Sequence, residues 1–522
     1  MRKKSLMVGL CLLGGLTTLS AQNSPQEKMS MTLYALGHMY VDSLSVGDIV
    51  NQQIIDMMHK LDPFSEYLTP EAARQNEQLL AREQRDNVFF TKGYLTGFLP
   101  QAQASAGMVQ SGIEGGRIGG RFLISYLPVE SEAYKQGLRP GDEITAINGE
   151  PVSGLEENEI YAFLRGTAGK TVKLKTLRGG TSGEYTFQLK AIPPTAITAA
   201  YMVDKRTGYI AISMFSNTTA ADFRQRLQDL KAKGMKNLIL DLRKNNGGLF
   251  DDALAIADEF IDGEKVMVYT EGLHSPRQVF RSTPKGAFQS GSLVVLINGQ
   301  TKSAAEILSA ALQDNHRAVF IGQRSFGKGL IQETLPFKDG SALRLTVARY
   351  FTPAGRSLQK HYTTTFTRYG LPTDTAKAAD GGVVPDLLVA DDARPANQWI
   401  YFVTYAGVQT KAARDYVLAN RAGLLKKYPD YMDFDKNFKD IDTLLEQVVK
   451  VAGEANIPFK EDDYRKSLAY LRVQMKGLVA RNLYNDTNAY FETLNEASPA
   501  YREACKVLSS PAHYKSLLNK QK

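Results

Sequence analysis

The feature that most limits the fold is an alternation of apolar strand-like segments and amphipathic helical segments between residues 193 and 390. The pattern predicts strands at 209–214, 237–242 and 293–297, and helices at 220–233, 251–261 and 304–312. Alternation of this kind is typical of parallel strands that are joined by helices. The sequence therefore predicts an α/β core over residues 193–390.

The rest of the chain has a different character, and 522 residues exceed what one compact core holds. Residues 22–85 and 391–522 show helical periodicity. Residues 86–192 are rich in glycine, with short strand segments and one amphipathic helix at 157–165. We expect a multi-domain α/β protein in which residues 86–192 form a small β domain with one peptide-sized groove.

The N-terminus has the pattern of an export signal. Arg2, Lys3 and Lys4 precede a short apolar stretch at 6–19, and Ser20-Ala21 offers a small-residue cleavage point. We predict a signal peptide over residues 1–21 and a protein that is soluble, or associated with the membrane, in the periplasm. An uncleaved anchor is the alternative.

Composition excludes several classes of function. The 63 Lys and Arg residues exceed the 55 Asp and Glu residues without forming a basic block, which argues against nucleic acid as a partner. After the signal only Cys505 remains, so no intrachain disulfide is expected. The six histidines lie far apart, and we expect neither a metal nor a cofactor.

Two strand-to-helix junctions could stabilise an anion. At 241–248 the adjacent Gly247 and Gly248 could turn backbone N–H groups outward at a helix start. A plain βα turn would have the same sequence pattern. At 298–306, Ser303 and Glu306 match the S-x-x-E capping box. The same position would suit a nucleophile, with the N–H of Ala304 facing an oxyanion. The sequence leaves cap and nucleophile open.

The third junction, at 325–332, supplies a candidate base. A lysine can activate a serine only if burial lowers its pKa, and Lys328 has apolar neighbours. Strand alternation would place Lys328 and Gln332 on one face, where a glutamine could aim the amine without adding charge. An exposed lysine in a glycine loop is the alternative interpretation.

Other nucleophile arrangements fit less well. Ser325 and Lys328 match S-x-x-K, but that pair needs a helical turn, which the glycines of this segment oppose. A Ser-His-Asp triad would need His316 or His274 as its base, and His316 is better explained as the end of a helix.

Together these segments resemble the carboxyl-terminal processing, or tail-specific, serine proteases with a PDZ domain, over residues 30–390. The motifs that carry the resemblance are L-D-P-F-S-E-Y-L at 61–68, G-L-R-P-G-D-E-I at 137–144, I-N-G at 147–149, R-G-T-A-G-K-T-V at 165–172, D-L-R-K-N-N-G-G at 241–248, T-K-S-A-A-E at 301–306, A-L-Q-D at 311–314, S-F-G-K-G-L-I-Q at 325–332 and V-V-P-D at 383–386.

The resemblance implies a division of labour among these residues. It makes Ser303 the nucleophile, Lys328 the general base and Gln332 the residue that orients the base. It assigns the oxyanion hole to backbone N–H groups of Gly247 or Gly248 and of Ala304, and Asp314 to a structural position. It also implies a PDZ domain at 86–192 ahead of a crotonase-like Ser-Lys protease core at 193–390, with a helical region at 391–522.

The implied function is that of an exported serine endopeptidase that cleaves unfolded or tail-bearing proteins captured by the PDZ domain. Its partners would be protein or peptide substrates with free C-terminal tails, and an adaptor protein or self-association is left open. A catalytically inactive PDZ peptide-binding or adaptor protein is the main alternative. A crotonase-like acyl-CoA enzyme is a second one, which the export signal opposes.

Three departures from the family pattern stand out. Phe64 replaces a common histidine and Asn246 replaces a proline or glycine, and we expect neither to touch the chemistry. The loop expected to hold a tail carboxylate is longer than usual and has two candidates, 95–98 and 112–116.

Overall fold

The computed structural model describes residues 24–75, 108–192, 195–360, 381–390 and 395–520. Its helices are α1 (Pro25–Met39), α2 (Val46–Met58), α3 (Glu132–Lys135), α4 (Glu157–Phe163), α5 (Thr219–Ala232), α6 (Phe250–Asp258), α7 (Ala304–Asp314), α8 (Gln398–Tyr405), α9 (Val408–Lys427), α10 (Tyr431–Asn437), α11 (Ile441–Glu454), α12 (Glu461–Tyr484), α13 (Thr487–Ala497), α14 (Pro499–Ser509) and α15 (Pro511–Asn519).

The strands are β1 (Glu66–Leu68), β2 (Met108–Gln110), β3 (Glu114–Ile118), β4 (Arg121–Tyr126), β5 (Glu143–Ile147), β6 (Glu150–Pro151), β7 (Arg165–Thr167), β8 (Thr171–Arg178), β9 (Thr181–Gln188), β10 (Ile197–Met202), β11 (Thr207–Ile212), β12 (Asn237–Asp241), β13 (Val266–Glu271), β14 (Gln278–Arg281), β15 (Leu293–Ile297), β16 (Val319–Gly322), β17 (Leu330–Pro336), β18 (Ala342–Phe351) and β19 (Leu387–Leu388). No helix in these described ranges is long and apolar enough to span a bilayer.

The α/β core is built on a six-stranded sheet in the order β10-β11-β12-β15-β16-β19. Only β10 and β11 pair in antiparallel fashion, and the other neighbours are parallel. Helices α5, α6 and α7 cover one face, and α14 and α15 cover the other. Because both faces are covered, β15 is buried at every position and reads as a continuous apolar run. The predicted fold class, a multi-domain α/β protein, is confirmed.

A second, antiparallel sheet lies beside this core, with the order β1-β18-β13-β14 and with β17 also paired to β18. Its strand β1 comes from the N-terminal segment, where Glu66 pairs with Arg344 and Leu68 with Ala342. The sequence predicts a helical region over residues 22–85, and β1 is a strand within it that this prediction does not include. Short local periodicity cannot reveal a strand whose partner lies far along the chain.

The β domain has its own core and a sheet in the order β3-β4-β5-β8-β9. Strand β3 is an edge of this sheet, and helix α4 lies against it. The C-terminal helices α8–α13 form a separate bundle core. That bundle contacts the β domain through α9 and α12, and it leads into α14 and α15 on the central sheet.

Candidate active site

A single buried carboxylate joins two of the three predicted junctions. The Oε2 atom of Glu306 accepts hydrogen bonds from the backbone N–H groups of Ser303, at 2.9 Å, and Lys328, at 2.8 Å. Its Oε1 atom accepts from the N–H of Gly327 at 2.6 Å and from the hydroxyl of Ser325 at 2.5 Å. Glu306 is fully buried, and burial raises its pKa. The segments that carry Ser303 and Lys328 are thus anchored side by side.

Ser303 has a backbone conformation that serine rarely adopts. It lies between β15 and α7 with φ 58° and ψ −121°, and such strain is typical of functional positions. The predicted capping-box contact with Glu306 is also present. Cap and nucleophile are therefore not exclusive at this position, because Glu306 bonds the backbone N–H of Ser303 and not its hydroxyl.

The glycine junction lies directly against Ser303. A Cβ atom placed on Gly247 would come within 2.8 Å of the Cβ of Ser303 and 3.1 Å of the backbone nitrogen of Ala304. The N–H of Gly247 donates to Oδ1 of Asn245 at 2.8 Å. In contrast, the N–H groups of Gly248 and Ala304 donate to no hydrogen bond within the described part of the chain. These two donors are the ones that could face a ligand.

The buried Asn245 holds this turn in place, and the sequence analysis did not single it out. Its Nδ2 donates to the carbonyl of Ile212 at 3.0 Å, and its own carbonyl accepts from Lys302 at 3.0 Å. The side chain therefore ties the glycine turn to strand β11, and the backbone carbonyl of Asn245 ties it to the residue before Ser303. A buried asparagine in a βα turn is the signal that could have indicated this role.

Lys328 lies in a largely buried position, and burial lowers the pKa of its amine. The positive charges of Lys302 and Arg344 lower this pKa further, whereas Glu306 opposes the shift. The ring of Phe64 lies 5.0 Å from Nζ of Lys328. Phe64, which we expected not to touch the chemistry, thus lies beside the candidate base, because strand β1 brings the N-terminal segment into the site.

Gln332 lies on β17 and its Nε2 donates to Oγ1 of Thr346 at 3.3 Å. Strand β17 begins only at Leu330, and a bulge falls between Ile331 and Gln332. The alternation used to relate Lys328 and Gln332 is thus interrupted. The Gln332 side-chain oxygen accepts no hydrogen bond from the residues described in the structure.

The other candidates have structural roles. His316 follows the end of α7 with φ 51°, and its N–H caps the carbonyl of Gln313 at 2.9 Å. It ends the helix as predicted, at the end opposite Ser303. Ser325 lies outside any helix and accepts from the N–H of Val383 at 2.7 Å. Asp314 pairs with Arg356 at 2.5 Å, in agreement with its predicted structural position.

A buried polar network connects the glycine junction to the C-terminal helices. Asp241 accepts from the hydroxyl of Tyr209 and pairs with Arg243, both at 2.6 Å. Arg243 also donates to Asn495 at 2.9 Å and to Ser498 at 2.6 Å. The C-terminal region therefore contacts the strand end from which the glycine turn starts.

Comparison with known proteins identifies two known domain families in the chain. A sequence model of peptidase family S41 matches residues 206–367, and a PDZ domain model matches residues 128–178. A third model, of a family of unknown function, matches residues 399–485.

Two curated relatives each align with 60% or more of the chain. Carboxy-terminal processing protease CtpA of Bacillus subtilis is 30% identical over 350 residues, which cover 66% of this chain and 69% of the relative. The carboxy-terminal-processing protease of Bartonella bacilliformis is 31% identical over 317 residues, which cover 60% of this chain and 67% of the relative. Among solved structures, the photosystem II D1 C-terminal processing protease matches at 24% identity with a TM-score of 0.38, covering 71% of this chain and 88% of that one.

The chain belongs to the carboxy-terminal processing proteases, within peptidase family S41, and it carries a PDZ domain. It is therefore a serine-type peptidase that acts on protein or peptide substrates.

Proposed function

We propose that this protein is an endopeptidase in which Ser303 is the nucleophile and Lys328 the general base. The observation that carries the proposal is the strained turn at Ser303, which shares the carboxylate of Glu306 with the Lys328 segment. A helix cap alone does not require a serine with positive φ. A strained strand-to-helix turn does expose a hydroxyl for attack.

The reaction would proceed through an acyl-enzyme. Neutral Lys328 takes the proton of the Ser303 hydroxyl as its oxygen attacks the scissile carbonyl. The N–H groups of Gly248 and Ala304 stabilise the resulting oxyanion, since both are unused, Ala304 follows Ser303 directly, and Gly247, the neighbour of Gly248, packs against Ser303. Protonated Lys328 then delivers the proton to the leaving amine, and water hydrolyses the ester.

Gly247 fits the oxyanion role less well than Gly248, because Asn245 already accepts its N–H. Its contact with Ser303 supports a packing role instead. For Gln332, the unused side-chain oxygen is available to orient the Lys328 amine. Neutral Lys328 is the reactive form, so its lowered pKa places more of the enzyme in that form near neutral pH.

The PDZ domain would capture substrate tails, and the chain would act after export. The predicted signal peptide at 1–21 lies outside the described residues, so export to the periplasm remains a prediction from the sequence. The same holds for an adaptor and for self-association. An inactive PDZ adaptor would not need a buried lysine beside a strained serine, which argues against that alternative.

The proposal is tested with residues 22–522 and an unfolded protein that has an apolar C-terminus. Ser303→Ala and Lys328→Ala should each lower kcat/KM by about a thousandfold or more. Ser309→Ala and Lys360→Ala are matched controls: Ser309 is a buried serine on the same helix, and Lys360 is a half-buried lysine nearby.

Both controls should keep activity within a few-fold, and all four variants should remain folded by circular dichroism. Cleavage by Ser303→Ala at the normal rate would mean another nucleophile. No cleavage by the unmodified chain would favour the binding-protein alternative.

A further inference from the structure

The peptide-binding edge of the PDZ domain is already occupied. Peptides bind such domains by adding a strand to an exposed sheet edge, which uses the free N–H and C=O groups of the edge strand. Here the edge strand is β3 and the facing wall is α4. A bound tail would therefore need the outward groups of β3.

Side chains of α4 form hydrogen bonds with these outward-facing backbone groups. The N–H of Gly115 donates to the Tyr161 hydroxyl at 2.9 Å, and that hydroxyl donates back to the Gly115 carbonyl at 2.8 Å. The N–H of Arg117 donates to Oε1 of Glu157 at 2.9 Å. Tyr161 is 7% exposed, and burial raises its pKa to about 12, so it stays a neutral hydrogen-bond donor. The two walls of the groove are thus bonded to each other.

An arginine from the C-terminal region contacts both walls of the groove. Nη1 of Arg414, on α9, donates to the Gly115 carbonyl at 2.9 Å and lies 3.3 Å from Oε2 of Glu157. The guanidinium therefore bridges the two walls. Arg414 is only 6% exposed, and its Nε donates to the neighbouring Asp415 at 2.8 Å.

The backbone of β3 is shaped to receive this guanidinium. A Cβ atom on Gly116 would lie 2.5 Å from Nε of Arg414, so any larger residue here would displace the guanidinium. Segment 112–116, one of the two candidates for a carboxylate loop, thus contains the two glycines that contact the Arg414 guanidinium. The other candidate, 95–98, lies outside the described residues.

A second set of contacts holds the C-terminal region in this position. Arg481, on α12, forms a bidentate pair with Glu114 of β3 at 2.9 and 2.8 Å. Asn485 accepts from the N–H of Leu127 and donates to its carbonyl, both at 2.8 Å. Two buried arginines thus reach the same edge strand, and the position of Arg414 does not depend on one flexible side chain.

We propose that Arg414 is an internal ligand of the PDZ groove, and that a substrate tail binds there only when α9 withdraws it. This rests on tail capture by the PDZ domain, as proposed above. The groove then exists in a closed form held by Arg414 and an open form that binds. Tail affinity is reduced by the fraction of molecules that are closed.

The test measures binding and not cleavage, with Ser303→Ala in every protein so that the probe survives. The probe is a fluorescein-labelled ten-residue peptide with an apolar, free C-terminus, and the readout is fluorescence anisotropy with residues 22–522. Arg414→Ala removes the bridge. Gly116→Ala keeps the arginine, but its Cβ occupies the space of the guanidinium. It should therefore open the groove by an independent route.

Arg421→Ala is the matched control. Arg421 lies on the same helix, donates to the Asn482 carbonyl at 2.9 Å and packs against Gly141 of the β domain, away from the groove. Arg414→Ala and Gly116→Ala should each tighten binding about tenfold or more, and Arg421→Ala should not.

Two results would overturn the proposal. Weaker or unchanged binding by Arg414→Ala and Gly116→Ala would make Arg414 the receptor of the tail carboxylate or a purely structural residue. Absence of binding by every variant would remove tail capture at this groove. In either case, cleavage of the unfolded substrate would test the Ser303 and Lys328 assignments separately.

Discussion

The active site and the PDZ groove both present backbone groups to a ligand, but they treat these groups in opposite ways. At the candidate active site, the N–H groups of Gly248 and Ala304 make no hydrogen bond within the described residues. Along β3, the outward groups of Gly115 and Arg117 are bonded to side chains. The donors beside Ser303 are therefore available to a ligand, whereas those along β3 are already hydrogen-bonded.

This difference fits the ligands that the two sites are proposed to meet. An oxyanion exists only during the reaction, so its donors must be in place beforehand and must not need to break other bonds. A protein tail is a stable ligand that can compete with an internal one. Control of the enzyme would therefore act on capture, while the catalytic turn stays fixed.

Among the changes that test this comparison, the largest effect should come from distorting the glycine turn beside Ser303. Gly248 has φ 131°, and a Cβ there would overlap the carbonyl oxygen of Phe215, so Gly248→Ala must shift the turn. We expect kcat/KM for an unfolded substrate to fall about a hundredfold to a thousandfold, the usual result of losing an oxyanion donor.

Gly299→Ala is the control for this change, since its new Cβ would find its nearest neighbour at 4.0 Å. The peptide affinity of the PDZ groove should be the same in both variants. Full activity in a folded Gly248→Ala protein would exclude the N–H of Gly248 as an oxyanion donor.

A smaller effect on stability is expected from Glu306→Gln. The carboxylate accepts four hydrogen bonds in a fully buried position, and an amide has only one oxygen to accept them. Each unsatisfied buried group costs about 1–3 kcal/mol, so the free energy of unfolding should fall by at least about 2 kcal/mol.

Urea denaturation measures this change, with the exposed Glu333→Gln on β17 as the control. Cleavage should fall together with stability, because Glu306 anchors both Ser303 and Lys328. A Glu306→Gln protein with unchanged stability and activity would show that the carboxylate does not organise the site.

The residues that local sequence patterns could indicate are those at the strand-to-helix junctions. Apolar segments that periodicity identifies as strands or helices flank Ser303, Glu306 and Lys328. The structure brings the Ser303 and Lys328 backbones together at the Glu306 carboxylate. The choice between Gly247 and Gly248 could not be made, because it depends on which N–H the side chain of Asn245 accepts.

Contacts between distant parts of the chain were not predictable in the same way. Phe64 reaches Lys328 only because β1 pairs with β18, and that pairing leaves no local signal. Arg414 lies in an ordinary helical segment, and nothing in its neighbourhood distinguishes it from Arg421. Its role depends on the docking of α9 against β3, which is a tertiary contact.

The smallest predicted effect concerns the charge around Lys328. The positive charge of Lys302 helps to lower the pKa of Lys328, so Lys302→Gln should raise that pKa. Activity requires the neutral amine and rises with pH through its pKa, so the rising limb of the kcat/KM profile should move to higher pH. Activity near neutral pH should fall, and activity well above the pKa should be unchanged.

Lys360→Gln separates charge from packing in this experiment. Both lysines lie over the ring of Phe326, Lys360 at 4.0 Å and Lys302 at 5.6 Å, but only Lys302 contributes to the lowered pKa of Lys328. The limb should therefore stay in place in Lys360→Gln. Equal shifts in both variants would mean that packing around Phe326 sets the pH profile, and an unshifted limb in Lys302→Gln would mean that the charge of Lys302 does not contribute to it.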